Sequence, residues 1–354
     1  MDIIVEEKYQ KAALRLHRTH PVVDAHLDLA GEILLRNRKG ETDIIRKYYL
    51  KHFRYADLNL VVSSVYVESQ IPKEEQWENA LAQIQALKRD LTYVQEDCIL
   101  VQSKAELEEV LQDTSEGSHK IGILLYMEGL DCIGEDIGRL ELLYDMGVRG
   151  ASITWSRPNA LAKGCCKAGE YRQVPGGLTE AGRAAVAELE RLGMFLDISH
   201  LNDDGFAEVC RITTKPFIAT HSCAKAVYDN YRNLTEEQMK QLANQGGIMG
   251  LNGCTWIAGS VKNKEHLEML GRHVLYEAGK IGSAHVGYGF DLCESYRHAR
   301  HPEDTGESDD CIENHSEIIK VTATLLQKGM PETDVVRIIG ENFAHYFLKN
   351  FTLI

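Results

Sequence analysis

From Ile121 to Met127 the chain is unbroken in apolar character, and the run stops on Glu128. A strand with one wet face alternates polar and apolar residues, whereas a strand that is apolar throughout is buried on both faces and belongs in a parallel sheet. Parallel neighbours cannot be joined by a tight hairpin, so each needs a long crossover, usually a helix. The rest of the chain fits that demand. Strand segments are expected at 22–28, 60–67, 148–154, 194–200, 216–221, 247–252 and 285–291, and helical spacing lies between them, as at 77–92, 179–192, 203–211 and 266–278. Ser103-x-x-Glu106 and Thr235-x-x-Gln238 are capping signals that open two more helices. Eight strands alternating with helices, and no glycine-rich dinucleotide or phosphate fingerprint, favour an α/β (β/α)8 TIM barrel over a doubly wound sheet. A single domain over 1–354 is expected, with a leading helix in 1–20 and a closing helix in 331–350. The two long connections, 155–177 and 293–315, follow strands and should lie over the C-terminal mouth as candidate lids.

Partners are narrowed by charge. At −14 the chain lacks the clustered cations that a nucleic-acid footprint needs, so small molecules are the expected ligands. No apolar stretch is long enough for a membrane span, and the charged first twenty residues lack the apolar centre of a secretory signal. Nine cysteines without an export signal read as thiols in a reducing cytoplasm. Cys165-Cys166 has no CxxC companion, which argues against a structural zinc there.

The ends of the expected strands carry the chemistry. In Val22-Val23-Asp24-Ala25-His26-Leu27-Asp28 the period of two places Asp24, His26 and Asp28 on one face. Glu128, His200, His221 and Asp291 end four further strands, and in a barrel such ends converge. Three imidazoles and two carboxylates exceed what one four-coordinate zinc with an open position can use, so two metals fit better. A carboxylate can span two ions, which makes Glu128 the natural bridge between a His26/Asp28 site and a His200/His221 site. A hydroxide between the ions would be the nucleophile, and Asp291 would accept its proton and return it to the leaving amine. Asp24 is a candidate to orient a ligand. Tyr66 could line the pocket or complete the core. His298, His301 and His315 read as loop residues.

These pieces resemble the membrane (renal) dipeptidases and their bacterial relatives. The resemblance rests on Val22–Asp28, Met127-Glu128-Gly129, Gly177-Leu178-Thr179-x-x-Gly182, Asp197-Ile198-Ser199-His200, Thr220-His221-Ser222, Tyr231-Arg232-Asn233 and Gly340-Glu341-Asn342-Phe343, in family order. It implies two zinc ions, one held by His26, Asp28 and Glu128, the other by Glu128, His200 and His221. It also implies hydrolysis of dipeptides, with Arg232 gripping the substrate carboxylate and Asp291 moving a proton. Other divalent metals are allowed. The implied partners are a small dipeptide and at most a second copy of the chain, with no nucleic acid and no membrane. Three departures stand out. Trp155 replaces a histidine held to stabilise the tetrahedral intermediate, Asp291-Leu292-Cys293 replaces the family's Asp-Phe-Asp, and the signal and lipid-anchor segments of the animal enzymes have no counterpart. A barrel amidohydrolase acting on another amide, lactone or phosphoester, or a silent ligand-binding barrel, remain the alternative readings.

Overall fold

A computed structural model describes residues 2–112, 119–166, 174–262 and 264–350. Its strands, in chain order, are β1 (Val23–Leu27), β2 (Leu60–Tyr66), β3 (Cys98–Leu100), β4 (Ile121–Glu128), β5 (Val148–Ser152), β6 (Phe195–Asp197), β7 (Ala219–Ser222), β8 (Met249–Leu251) and β9 (Val286–Tyr288). Every paired neighbour runs parallel. The apolar run is β4, with all eight residues buried. Eight of these strands are the expected ones. The additional strand, β3, is three residues long and pairs with the first half of β4 (Cys98↔Ile121 to Leu100↔Ile123) before β5 takes over that edge at Leu125.

Alternate residues of the strands feed two apolar layers. Leu60, Val62, Leu124, Tyr126 and Phe195 pack with Phe343 and Phe347 of the helix Asn342–Asn350. Their neighbours Val61, Val65, Ile123 and Met127 pack instead with helix residues such as Ile33, Ile84 and Leu87. The interior is narrow. A Cβ on Gly289 would stand 1.7 Å from the Thr220 carbonyl oxygen, so only glycine fits between β7 and β9 there.

The sheet curls in two pieces, β1-β2-β4-β5-β6 with β3 on β4, and β7-β8-β9. Regular pairing lapses at two seams, where the expected closed ring of eight ladders is replaced by other bonds. At β6/β7 a single parallel bridge joins Asp197 to Ile218, and the Asp197 carboxylate accepts the backbone N–H groups of Ser199 (3.0 Å) and Thr220 (2.9 Å). At β9/β1, Asp24 Oδ1 accepts the Phe290 N–H (2.9 Å), and Asp291 N–H reaches the His26 carbonyl (3.1 Å). At each seam a buried aspartate accepts one backbone N–H from the facing strand end, Thr220 for Asp197 and Phe290 for Asp24.

β1 also corrects the expected strand face. Asp24 pairs with Val61 and Leu27 with Ser63, three residues against two, so β1 contains a bulge. The extra residue breaks the alternation. Asp24 bonds to backbone and to His315 Nε2 (2.9 Å) and touches no imidazole of the site. His315, expected as a loop residue, is buried in the turn His315–Glu317.

The leading helix is Glu7–Thr19, pinned by His17 between the Ala56 carbonyl (2.8 Å) and Thr322 Oγ1 (2.8 Å). The closing pattern at 331–350 is not one regular helix. It runs as Glu332–Val336, a wider π-helical turn at Arg337–Glu341, and Asn342–Asn350. Gly340 lies in that turn, where a Cβ would meet the Pro21 carbonyl oxygen at 2.0 Å. Among the described residues no helix is long and apolar enough to cross a membrane.

Candidate metal centre

Glu128 ends β4 with its carboxylate at the centre of three imidazoles. Its Oε1 lies 2.8 Å from His200 Nε2, 3.5 Å from His221 Nε2 and 3.7 Å from His26 Nε2. His200 follows β6, His221 lies in β7 and His26 in β1, so three separate strands supply the nitrogens. The rings of His26 and His221 are 3.8 Å apart at their centroids.

The hydrogen bonds behind these rings assign their protons. Thr220 Oγ1 donates to Asp197 Oδ2 (2.8 Å), which leaves it to accept from His221 Nδ1 (2.7 Å) and His26 Nδ1 (3.3 Å). His200 Nδ1 donates to Ser156 Oγ (2.8 Å), because its Nε2 accepts from the Arg232 guanidinium (3.3 Å). All three Nε2 atoms therefore present lone pairs to the same space. Two of them, on His200 and His221, face each other across 2.9 Å, and His26 Nε2 has no hydrogen-bond partner although the residue is fully buried. An unpaired buried acceptor costs about 1–3 kcal/mol, and facing lone pairs repel. A cation relieves both, and neutral imidazole with carboxylate is the donor set of a zinc-type site.

Electrostatics point the same way. Burial, then the Arg232 charge, lowers His26 to about 3. Burial also holds His200 and His221 well below the ordinary imidazole range. Glu128 is pushed well above the carboxylate range by burial and by Asp28 and Asp291, and both of those carboxyls are raised mainly by burial. Neutral imidazoles beside carboxylates that repel one another are poised for cations.

Asp28 and Asp291 form the outer edge of the cluster, with oxygens 3.8 and 3.7 Å from His26 Nε2. Ser64 Oγ donates to Asp28 Oδ1. Asp291 adopts a left-handed backbone (φ 56°), and Asn252 Nδ2 donates to its Oδ2 (3.1 Å), leaving Oδ1 towards His26. A cavity of about 450 Å³ opens over Asp28, Glu128, His200 and Asp291, while His26 and His221 lie beneath its floor. Tyr66, Trp155, Tyr231 and Trp256 form part of its wall, which settles Tyr66 as a lining residue. Both long connections contribute to the wall; residues 167–173 of the first lie outside the described residues.

Arg232 is buried at the cavity edge. Its guanidinium donates to the carbonyls of Ser199 and His221 (3.2 Å for the latter), and among the described residues no carboxylate pairs with it. All seven residues expected at the site therefore meet around one cavity. Asp197, Thr220, Ser156 and Ser64, which brace these side chains through hydrogen bonds, were not among the residues expected at the site.

The sequence matches the profile described as "Membrane dipeptidase (Peptidase family M19)" over residues 10–349. The chain belongs to the M19 membrane dipeptidase family. That places it among peptide-bond hydrolases. Dipeptidase 3 of Mus musculus is 26% identical over 97% of this chain and 67% of its own length. Dipeptidase tcpJ of Claviceps purpurea is 27% identical over 64% of this chain, which spans only half of that protein. A metallopeptidase structure from Rhodobacter sphaeroides, liganded with a phosphinate mimic of L-Ala-D-Ala, is 26% identical with a TM-score of 0.80, covering 94% of this chain and 99% of its own. A structure described as dipeptidase AC of family M19 gives 27% and 0.79, over 94% and 98%.

Against the M19 pattern, the departures now have places. Trp155 stacks on His200 (centroids 5.5 Å, planes 28° apart) and leans on Tyr66 (5.3 Å), so an aromatic wall stands where the pattern has a histidine. Cys293 places its thiol 3.6 Å from Asp291 Oδ1.

Proposed function

We propose that this chain is a dinuclear zinc dipeptidase. The observation that carries the reading is the set of three inward Nε2 lone pairs around Glu128, one of them orphaned. His26, Asp28 and Glu128 would hold one ion, and Glu128, His200 and His221 the other. When bound, the ions supply Lewis acidity for the scissile carbonyl and acidify a water to serve as nucleophile near neutral pH.

The chain's own groups do the remainder. Asp291 Oδ1, facing the ligands, takes the proton of the nucleophile and delivers it to the amine as the peptide bond breaks. Asn252, by holding Oδ2, keeps that oxygen turned inward. Arg232 offers positive charge at the cavity edge to a substrate carboxylate, which favours short peptides with a free terminus near the metals. Trp155 and Tyr66 shield the floor from bulk water. The two sheet pieces are read as one barrel joined at the aspartate seams, in a single domain. Nine free cysteines support a reducing setting such as the cytoplasm.

The test is metal quantification on the purified protein with a hydrolysis screen over L,L- and L,D-dipeptides. The expected result is two ions per chain and hydrolysis abolished by a chelator. A protein that takes up neither zinc nor manganese and cleaves no dipeptide overturns the reading. Glu128→Gln should lose metal, whereas Asp291→Asn should keep it and lose turnover; equal metal loss in both would remove Asp291 as the base.

A further inference from the structure

Beside the imidazole cluster lies a second group of donors. Single ligand atoms of Asp28, Asp291 and Cys293 all fall within 4.8 Å of one another. The thiol is held there by its backbone. Asp291 turns the chain through its left-handed conformation, and Asp310 Oδ2 accepts the N–H groups of Cys293 (2.9 Å) and Glu294 (2.8 Å), fixing the start of the helix Glu294–Arg300. Cys293 Sγ then rests 3.2 Å from the Asp291 carbonyl oxygen and 3.6 Å from its Oδ1, on the cavity wall. The independent observation is His26 Nε2. It is fully buried and unpartnered, and it is aimed at the same two carboxylates, 3.8 Å from Asp28 Oδ1 and 3.7 Å from Asp291 Oδ1.

We propose that Cys293 is a metal ligand, lending a thiolate to the ion of the His26, Asp28 and Glu128 site while Asp291 stays the base, so that this site takes a thiophilic divalent cation in preference to a hard one. The inference rests on the two-metal reading above and adds a ligand to it. Sulfur selects zinc, cobalt or cadmium, whereas the same site with a carboxylate in place of the thiol would take manganese more readily. The sulfur-to-oxygen spacings are those that modest closure brings around an ion at about 2.0–2.3 Å from each donor.

Cobalt(II) tests this without turnover. Metal-free protein loaded with cobalt should show the near-ultraviolet charge-transfer absorption of a cobalt–thiolate bond. Cys293→Ser and Cys293→Asp should abolish it, while Cys254→Ser, which removes another thiol of the cavity wall, should retain it. Bound metal should protect Cys293 from iodoacetamide, read by mass spectrometry of the peptide. Cys293→Asp restores the carboxylate of the family pattern, so cadmium affinity relative to manganese should fall about tenfold or more. Thermal unfolding of each variant separates misfolding from ligand loss, and the alkylation assay on wild type needs no variant at all. Cobalt bound without the absorption, or absorption that survives Cys293→Ser, overturns the proposal and leaves the metal centre standing. Wild type that binds no cobalt by elemental analysis brings down both.

Discussion

Thr220 shows how much of the site depends on a single hydroxyl. By donating to Asp197 and accepting from two imidazoles, it fixes the ring tautomers of His26 and His221. Asp197 is the anchor: its oxygens also accept from Tyr126 OH (2.5 Å), Ser199 Oγ (2.7 Å) and two backbone N–H groups. Thr220→Val keeps the shape and deletes the acceptor. Its expected effect is a 10–100-fold loss of zinc affinity, roughly the cost of removing a group that orients a ligand. Chelator competition measures it, and Thr220→Ser should recover most of the loss. If Thr220→Val binds zinc like wild type, the tautomers are fixed by something else.

The strands themselves were legible in the sequence, because a segment buried on both faces has little choice but to be apolar along its length. The capping boxes at Ser103 and Thr235 were legible too, since the side chains that make them are close in sequence, and both form. So were the side chains that cluster at the cavity, His26, Asp28, Glu128, His200, His221 and Asp291, which end apolar runs. What was not legible depended on contacts across the fold. β3 is too short to show a period, and the bulge in β1 shifts side chains without changing composition. The seam role of Asp24 and Asp197 requires knowing which strand lies opposite. That role can be tested at the scale of the element. Asp24→Ala strands the Phe290 N–H, with a cost of about 1–3 kcal/mol. Amide exchange should accelerate at Phe290 and along β9 while β2 and β4 stay protected. Uniform exchange throughout would mean that Asp24 is not what joins β9 to β1.

Across the whole molecule, buried titratable groups set a stability that depends on pH from both sides. Glu277 is fully buried, both its oxygens lack hydrogen-bond partners, and His273 Nδ1, 3.9 Å away, already accepts the Ala224 N–H. Burial raises this carboxyl to about 8, against 4.5 for the free group. The folded chain therefore binds the proton more tightly than the unfolded chain. The resulting stability is complete below about pH 4.5 and drains away as pH rises through about 8. Burial acts oppositely on His17 and His273, which it lowers to about 4 from 6.5. Folding keeps them neutral, so their contribution is present above about pH 6.5 and is lost as pH falls through about 4. At roughly 1.4 kcal/mol per unit of displacement, each group carries a few kcal/mol across its window. Urea unfolding of the metal-free protein should show stability falling on both sides of a maximum near pH 6 to 7, with Glu277 one of the buried carboxyls behind the alkaline limb and the histidines behind the acid limb. Glu277→Gln keeps the shape and removes the titration, so it should flatten the alkaline limb and steepen the rise between about pH 4.5 and 6.5, where the histidines then act unopposed by it. An alkaline limb of undiminished slope in that variant would assign the loss to the other raised carboxyls, Asp310, Glu128 and Asp291.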